Sequence, residues 1–453
     1  MGDASRGQLD IAVIGAGIGG LASAWLLGQR HRVVLYEHEG RLGGHSHTVE
    51  VAFGGQSVPV DTGFIVYNEA TYPNLTALFR HLAVPTQASD MSFAVSAAGG
   101  RIEYSGEGIG GLLARPANAV SPRFWSMLID LVRFYRSAPR LLDEPGDERL
   151  TLGSYLDAGR YGRAFREDHL LPMAGAIWSS APEAMLQYPA RAFVRFFVNH
   201  QLFNLGGRPL WRTVTGGSRE YVRRLAHEYS GEVRRATPVK AVTRGDNRVT
   251  LRDARGGETT FDHVVIATHA DQALAILTDA DGDECELLGA IRYTANRTVL
   301  HSDVRLMPRR RAAWASWNYV ADCTHSPGGR ATVTYWMNRL QGLDTPAPLL
   351  VTLNPQMAPD AASVHWQGTY EHPVLDARAM AAQRRLWSLQ GRRRTWLCGA
   401  YFGAGFHEDA LQAGLAVAEQ LGGVARPWTL ASHSGRIHVF DAAPPAALEP
   451  EAA

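Results

Sequence analysis

The chain has 453 residues, 45% of them hydrophobic and 20% charged, with a net charge of +1 at pH 7. Such a length exceeds what one core usually encloses, so at least two lobes with a large interior are expected, and the composition excludes a disordered chain. The near-zero charge excludes bulk attraction to nucleic acid. Three cysteines, Cys285, Cys323 and Cys398, stand far apart and form no CxxC pair, so neither a disulfide framework nor a metal site is expected, and a reducing, cytoplasmic setting fits. Residues 1–8 are short and polar, and no run of about 18 apolar residues occurs. The expectation is a soluble protein, or at most one peripheral on the inner face of a membrane.

Residues 9–14 read as a buried parallel strand, and residues 21–28 as a helix with an apolar face. Between them lies Gly15-Ala16-Gly17-Ile18-Gly19-Gly20. In this strand–turn–helix context Gly15 permits the tight turn and Gly17 lets a diphosphate approach the backbone. Gly20 lets helix and strand pack closely, with phosphate at the helix N-terminus. Residues 31–37 form a second strand ending in Glu37, where a carboxylate accepts hydrogen bonds from ribose hydroxyls and disfavours a 2′-phosphate. This unit predicts a dinucleotide site that is not for NADP; it leaves NAD and FAD open.

The next residues, Arg41 to Thr48, carry an Arg-x-Gly-Gly doublet with Gly43 and Gly44. Placed just after the ribose acid, it resembles the FAD signature of the amine oxidase, protoporphyrinogen oxidase and phytoene desaturase clan. Residues 215–222, 233–243, 262–268, 395–400 and 405–414 recur in the order that clan uses. The resemblance implies an α/β fold: a Rossmann-like FAD-binding domain of the amine oxidase (GR2) type with an inserted α+β substrate domain, and FAD held non-covalently. It places Gly15, Gly17, Ile18, Gly19, Gly20, Glu37, His38, Arg41, Gly43, Gly44 and His45 at the cofactor, with Val239 on the adenine side. Ala267, Thr268, Gly399, Ala400, Phe406, His407, Ala410 and Leu411 follow from the later blocks. The last helix is expected to turn its positive N-terminus to the flavin. Segments 8–74, 206–284 and 386–425 are expected to form the FAD domain, and 75–205 with 285–385 the substrate domain. The tail 441–453 is expected to be disordered.

Within the substrate lobe, residues 121–142 place Phe124, Leu128, Leu131 and Tyr135 at helical spacing, with Arg123, Arg133, Arg136 and Arg140 elsewhere on the helix. An ordinary packed helix with a solvated arginine face is the first reading, and a helix lying on a membrane surface the second. Residues 192–205 are rich in phenylalanine, which reads as core first and as the lining of an apolar tunnel second. Runs 331–336 and 349–353 predict a mixed sheet flooring the pocket.

Flavin carries the reaction, so side-chain catalysts are expected to be few. His45 and His47 follow the glycine doublet, and His407 and Glu408 open the last helix; these four are the candidates for orienting substrate or moving a proton. The chain has a single lysine, Lys240, in the adenine-side block. Many amine-oxidising members of the clan place a lysine from the substrate lobe beside the flavin, so its lack here weakens an amine substrate. Residues 60–68, 71–75, 90–93, 171–174 with 177–178, and 405–409 resemble a bacterial subfamily of FAD-binding amine oxidase-like proteins. Its members are often encoded beside cyclopropane-fatty-acid-synthase-like methyltransferases, and one branch desaturates methylated acyl chains. That resemblance implies hydride transfer from a lipid acyl substrate, or another hydrophobic small molecule, to flavin N5, with a methyltransferase as a candidate partner. The alternatives are an amine or polyamine oxidase, a redox-neutral fatty-acid double-bond isomerase, and a non-catalytic FAD-bound partner of the methyltransferase.

Overall fold

The computed structural model describes residues 7–440 except 54, 144–146, 148, 179–181, 205, 208 and 322–331. The expected disordered tail and Cys323 lie outside the described residues. The strand Asp10–Ile14 is centred in a five-stranded parallel sheet, with Arg32–Tyr36 and then Glu232–Arg234 on one side, and His263–Ile266 and then Thr395–Leu397 on the other. Its residues Ile11 to Ile14 are buried, as a strand covered on both faces requires, which is why they read as a continuous apolar run. Strand order reverses at Asp10–Ile14, so the crevice outside its carboxyl end, at Gly15, is where such a sheet receives a ligand.

The helix Ile18–Leu27 is buried along its whole length and packs against the closing helix His407–Gly422. Glycine permits this approach. A Cβ on Gly414 would stand 2.2 Å from the carbonyl oxygen of Gly19, and one on Gly19 would stand 2.9 Å from that of Ala410. Ser23 Oγ donates to the Gly414 carbonyl at 2.8 Å across the same contact.

A second, seven-stranded sheet runs in the order Val364–Val374, Arg292–His301, Leu350–Leu353, Val333–Trp336, Trp317–Ala321, Phe93–Ala97 and Ile102–Ser105. All its pairings are antiparallel except that between Trp317–Ala321 and Phe93–Ala97, which makes it a mixed sheet. A small sheet of Val66–Asn68, Trp211–Val214 and Thr86–Ser89 spans the expected boundaries after residues 74 and 205, joining the two lobes by backbone hydrogen bonds.

The phenylalanine-rich helix Ala190–Asn199 divides its aromatic residues between two roles. Phe193 and Phe197 are fully buried and stack at 4.4 Å, and Phe197 lies 5.3 Å from Phe203, which in turn touches Phe134; these rings are core. Phe196 instead lies 5.2 Å from Phe406 at the head of the closing helix and stacks on His200 at 3.9 Å. Among the described residues no helix is long and apolar enough to cross a membrane.

The tightest glycine in the nucleotide turn is Gly20, where a Cβ would fall 1.9 Å from the Gly15 carbonyl oxygen. The Gly15 backbone on one side and the Ala267 Cβ, at 2.9 Å, on the other cannot yield, so Gly20→Ala should lower unfolding free energy by about 3 kcal/mol, read by chemical denaturation. A loss within experimental error would show that helix and strand are not packed this closely.

Candidate functional site

Gly15 holds φ at +99°, and a Cβ there would stand 2.9 Å from the Ala267 carbonyl oxygen, with the Thr268 methyl at 3.4 Å. Gly17 differs: a Cβ on it would meet nothing within 4 Å. That open space faces the start of helix Ile18–Leu27, which has no capping side chain and no acid in its first turn. Uncapped amide groups and the positive end of the helix dipole therefore line a cradle for an anion. Ile18 itself is buried beneath it.

Glu37 is buried at the end of its strand, where Oε2 accepts from the Ala16 amide at 2.8 Å and Oε1 from the Glu39 amide at 2.9 Å. Two carboxylate oxygens have lone pairs to spare for ribose hydroxyls. His38 is exposed and pairs with Glu37 at 2.8 Å. Backbone bonds from Thr237 to the Glu37 carbonyl (2.8 Å) and from Ala236 to that of Glu39 (2.9 Å) bring the strand Val239–Arg244 to the same side. Gly43 and Gly44 adopt positive φ, and the Gly43 amide donates to the Ala16 carbonyl at 2.8 Å, folding the doublet onto the glycine turn. Arg41 spans it, donating to the Gly44 carbonyl at 2.7 Å while paired with Glu39 at 2.9 Å.

From the far end of the chain, Gly399 and Ala400 lead into a short turn, Ala400–Phe402. Phe406 caps the closing helix, its amide donating to Asp409 Oδ2 at 2.8 Å. The Ala410 carbonyl abuts Gly19. Leu411 lies in the packed core, past the first four amides that a helix start leaves open. The open space beside Gly17, the uncapped helix and the spare capacity of Glu37 fit the diphosphate and ribose of FAD.

Beside the doublet the structure assembles a ring of histidines. His45 is half-buried, and its Nε2 is a buried atom with no hydrogen-bond partner. Its ring centroid lies 5.0 Å from Tyr370, 5.7 Å from His372 and 6.1 Å from His269. His47 shares a hydrogen bond with the Tyr370 hydroxyl at 3.1 Å, and that hydroxyl another with Thr62 Oγ1 at 2.7 Å. His407 Nε2 is 2.9 Å from both Ser46 Oγ and the Tyr221 hydroxyl, and its ring stacks on Phe64 at 3.9 Å. His269 stacks on Tyr293 at 4.3 Å.

Burial keeps this ring uncharged. It holds His45 well below the ordinary imidazole value, helped by His372, His269, His407 and Arg41. Burial, with Arg41, lowers His47 to about 4; burial, with His269, lowers His372 to about 4; burial lowers His407 to about 3. It also lowers His269 and pushes Tyr370 up to about 12. Near neutral pH the ring offers neutral imidazoles and a phenol.

Glu408 requires a correction. Instead of facing the ring as a candidate catalyst, its carboxylate accepts from the Asn74 amide and side chain, the Leu75 amide and Gln412 Nε2, all at 2.9–3.0 Å. It anchors the start of helix Pro73–His81 to the closing helix. Asp61 is likewise buried and saturated, by Thr48 Oγ1, Ser218 and Gln341 Nε2, and burial pushes it up to about 6. Sequence reasoning missed His269, His372, Tyr370 and Tyr221. His269 adjoins Thr268 and was within reach of the motif; Tyr370 and His372 are single residues on an exposed-edged strand with no local signal.

A sequence model described as flavin containing amine oxidoreductase matches residues 18–353. Comparison with curated proteins finds no match. Among solved structures, the chain is similar to a CLA-producing fatty acid isomerase from P. acnes, with 18% identity and a TM-score of 0.64 over 90% of this chain and 97% of that one. It is similar to putrescine oxidase bound to putrescine, with 14% identity and a TM-score of 0.65 over 91% and 99%. Cyclohexylamine oxidase from Brevibacterium oxydans IH-35A gives 18% identity and 0.63 over 91% and 99%. At these identities the likeness shows the fold.

Two outcomes check the site. Because nothing in the chain lies within 4 Å of a Cβ at Gly17, Gly17→Val should leave the thermal stability of flavin-free protein nearly unchanged while purified protein loses its yellow colour. Fully retained flavin would refute the cradle. For the ring, His372 and His407 bind a proton near 6.5 when unfolded but only near 4 and 3 when folded. Their contribution is complete above about pH 6.5 and lost as pH falls towards 4, by up to about 1.4 kcal/mol per pH unit for each group. Thermal unfolding at pH 7 and pH 5, at equal ionic strength, should show lower stability at pH 5.

Proposed function

The chain belongs to the family of flavin-containing amine oxidoreductases, and from that premise we propose that this FAD-dependent oxidoreductase dehydrogenates a neutral, apolar substrate: a methyl-modified fatty-acyl chain of a phospholipid. FAD, when bound, supplies the two-electron acceptor for a substrate C–H bond. The chain's own part is to hold the cofactor through the glycine turn and Glu37, to keep charge out, and to take up one proton.

The observation that carries the reading is the uncharged histidine ring with no buried carboxylate free beside it. An ammonium substrate taken out of water needs an anion to receive it. Among the described residues the buried acids near the ring are already held: Asp61 by Thr48, Ser218 and Gln341, Glu408 by Asn74 and Leu75, and Asp409 by Arg436. Lys240, the single lysine, is exposed on the strand Val239–Arg244. The contact of Phe196 with Phe406 supports an apolar neighbourhood at the head of the closing helix. His45 Nε2, buried and unpartnered, is the group to take the proton released as the second C–H bond breaks; its lowered pKa keeps the imidazole unprotonated, and so able to accept, through neutral pH.

One observation favours amine oxidation as the second reading. Glu371, between Tyr370 and His372 on the same strand, lies 3.5 Å from His269 and offers an acid at the edge of the ring.

Anaerobic mixing of FAD-loaded protein with vesicles of mid-chain-methylated phospholipid should bleach the flavin, and His45→Asn should slow bleaching, counted per bound flavin, by about a hundredfold or more. Bleaching by polyamines alone would establish the second reading. Lipid double bonds that shift with no net bleaching would mark a redox-neutral isomerase. A flavin that nothing bleaches would leave a non-catalytic partner.

A further inference from the structure

Three consecutive elements of the substrate lobe turn apolar side chains to solvent. They are the short helix Gly108–Leu112, the turn Pro116–Val120 and the helix Pro122–Ser137. Val120 is 83% exposed, Ile109 77% and Ile129 67%, the three most exposed large apolar residues among those described, and Trp125 is 49% exposed. Contiguity is built in: the Trp125 indole donates to the Ala119 carbonyl at 2.9 Å, and Asn118 donates to the carbonyls of Leu112 and Glu103 at 3.0 Å. The three elements therefore form one braced surface.

The helix Pro122–Ser137 has two apolar faces. Phe124, Met127, Phe134 and Tyr135 are buried, whereas Trp125, Leu128, Ile129 and Val132 line an open groove of about 630 Å³. A helix bathed only by water places polar residues on its outer face, and exposed apolar patches of this kind mark contact surfaces. The rim of the groove is Arg133, Arg136 and Arg140. Arg133 is held by Asp130 at 2.9 Å and lies over the Tyr161 ring. Arg136 and Arg140 are exposed and have no acidic partner among the described residues. Apolar side chains flanked by exposed arginines complement a surface with a greasy interior and an anionic boundary.

We propose that this face docks the protein on a bilayer containing anionic phospholipid, with Val120, Trp125 and Ile129 entering the headgroup boundary and Arg136 and Arg140 meeting phosphate. A second copy of the chain fits less well, because a symmetric pairing of the groove would set the same exposed arginines against each other. The docking helix also adjoins the aromatic core: Phe134 touches Phe203 at 5.8 Å, Phe203 touches Phe197, and the neighbouring Phe196 reaches Phe406. The docked face is thus backed by the element that leads to the closing helix. The proposal stands without the substrate reading, since its test measures binding and not turnover.

The FAD-loaded protein is sedimented with vesicles of phosphatidylcholine alone and of phosphatidylcholine with roughly one third phosphatidylglycerol. The expected result is co-sedimentation with the mixed vesicles only, weakened by salt. Ile129→Glu, and separately Arg136→Glu with Arg140→Glu, should each lower the partition coefficient by about tenfold or more while melting temperature and flavin content stay unchanged. Absence of co-sedimentation, binding indifferent to both variants, or equal binding to uncharged vesicles overturns the proposal. So does a vesicle-free dimer that Ile129→Glu converts to monomer, which would assign the groove to a second copy.

Discussion

Everything at the candidate site depends on one close backbone contact, between the first helix and the last. Gly19 and Gly414 have no side chains, so helices that are remote in sequence lie carbonyl to Cα, with the Ser23 hydroxyl donating to the Gly414 carbonyl across a separation of 391 residues. Any larger side chain at either glycine would push the closing helix outward. That helix carries Phe406 and His407 at its head, and its position sets where they stand relative to the glycine turn. The contact also brings the two ends of the chain to one sheet, where Thr395–Leu397 lies beyond His263–Ile266, itself paired with Asp10–Ile14.

The second constraint is desolvation. Five histidines near one another would repel if protonated, and burial removes the water that would screen them, so the ring persists as neutral imidazoles. The hydroxyls of Ser46, Thr62, Tyr221 and Tyr370 complement neutral rings, because each can donate to one nitrogen or accept from another. His45 Nε2 is left over. A buried polar atom with no partner is costly, so its persistence is a reason to look for chemistry there.

The two lobes are held together by buried polar contacts as well as by apolar packing. Asp61 gathers Thr48 and Ser218 from the nucleotide side and Gln341 from the other lobe. Within the nucleotide side, Glu408 ties the closing helix to Asn74. Removing either carboxylate would leave several buried donors unsatisfied. These acids are frequent among the motifs that stand out in the sequence because they hold the site's frame, and a motif residue with such a task is easily mistaken for a reacting one, as Glu408 was.

The sequence by itself determined the nucleotide turn, the ribose acid and the doublet, because these reside in short contiguous stretches where local backbone demands select glycine and a continuous apolar run marks a buried strand, and the resemblance carried by these motifs implied the fold class. The phenylalanine-rich segment was legible as an apolar helix, but its division into core at Phe193 and Phe197 and contact with Phe406 at Phe196 was not. Only the tertiary structure decided the membership of the histidine ring. Tyr370 and His372 come from a strand more than 300 residues beyond His45 and carry no local pattern, since a single imidazole on a strand looks the same whether it faces water or a buried neighbour. Likewise the helical spacing marked Phe124, Leu128, Leu131 and Tyr135 as one apolar face, and only packing showed that Trp125 and Ile129 belong to a second one left uncovered. Local sequence specifies conformation; the burial that shifts a pKa or leaves a face uncovered is a property of what the rest of the chain places beside it.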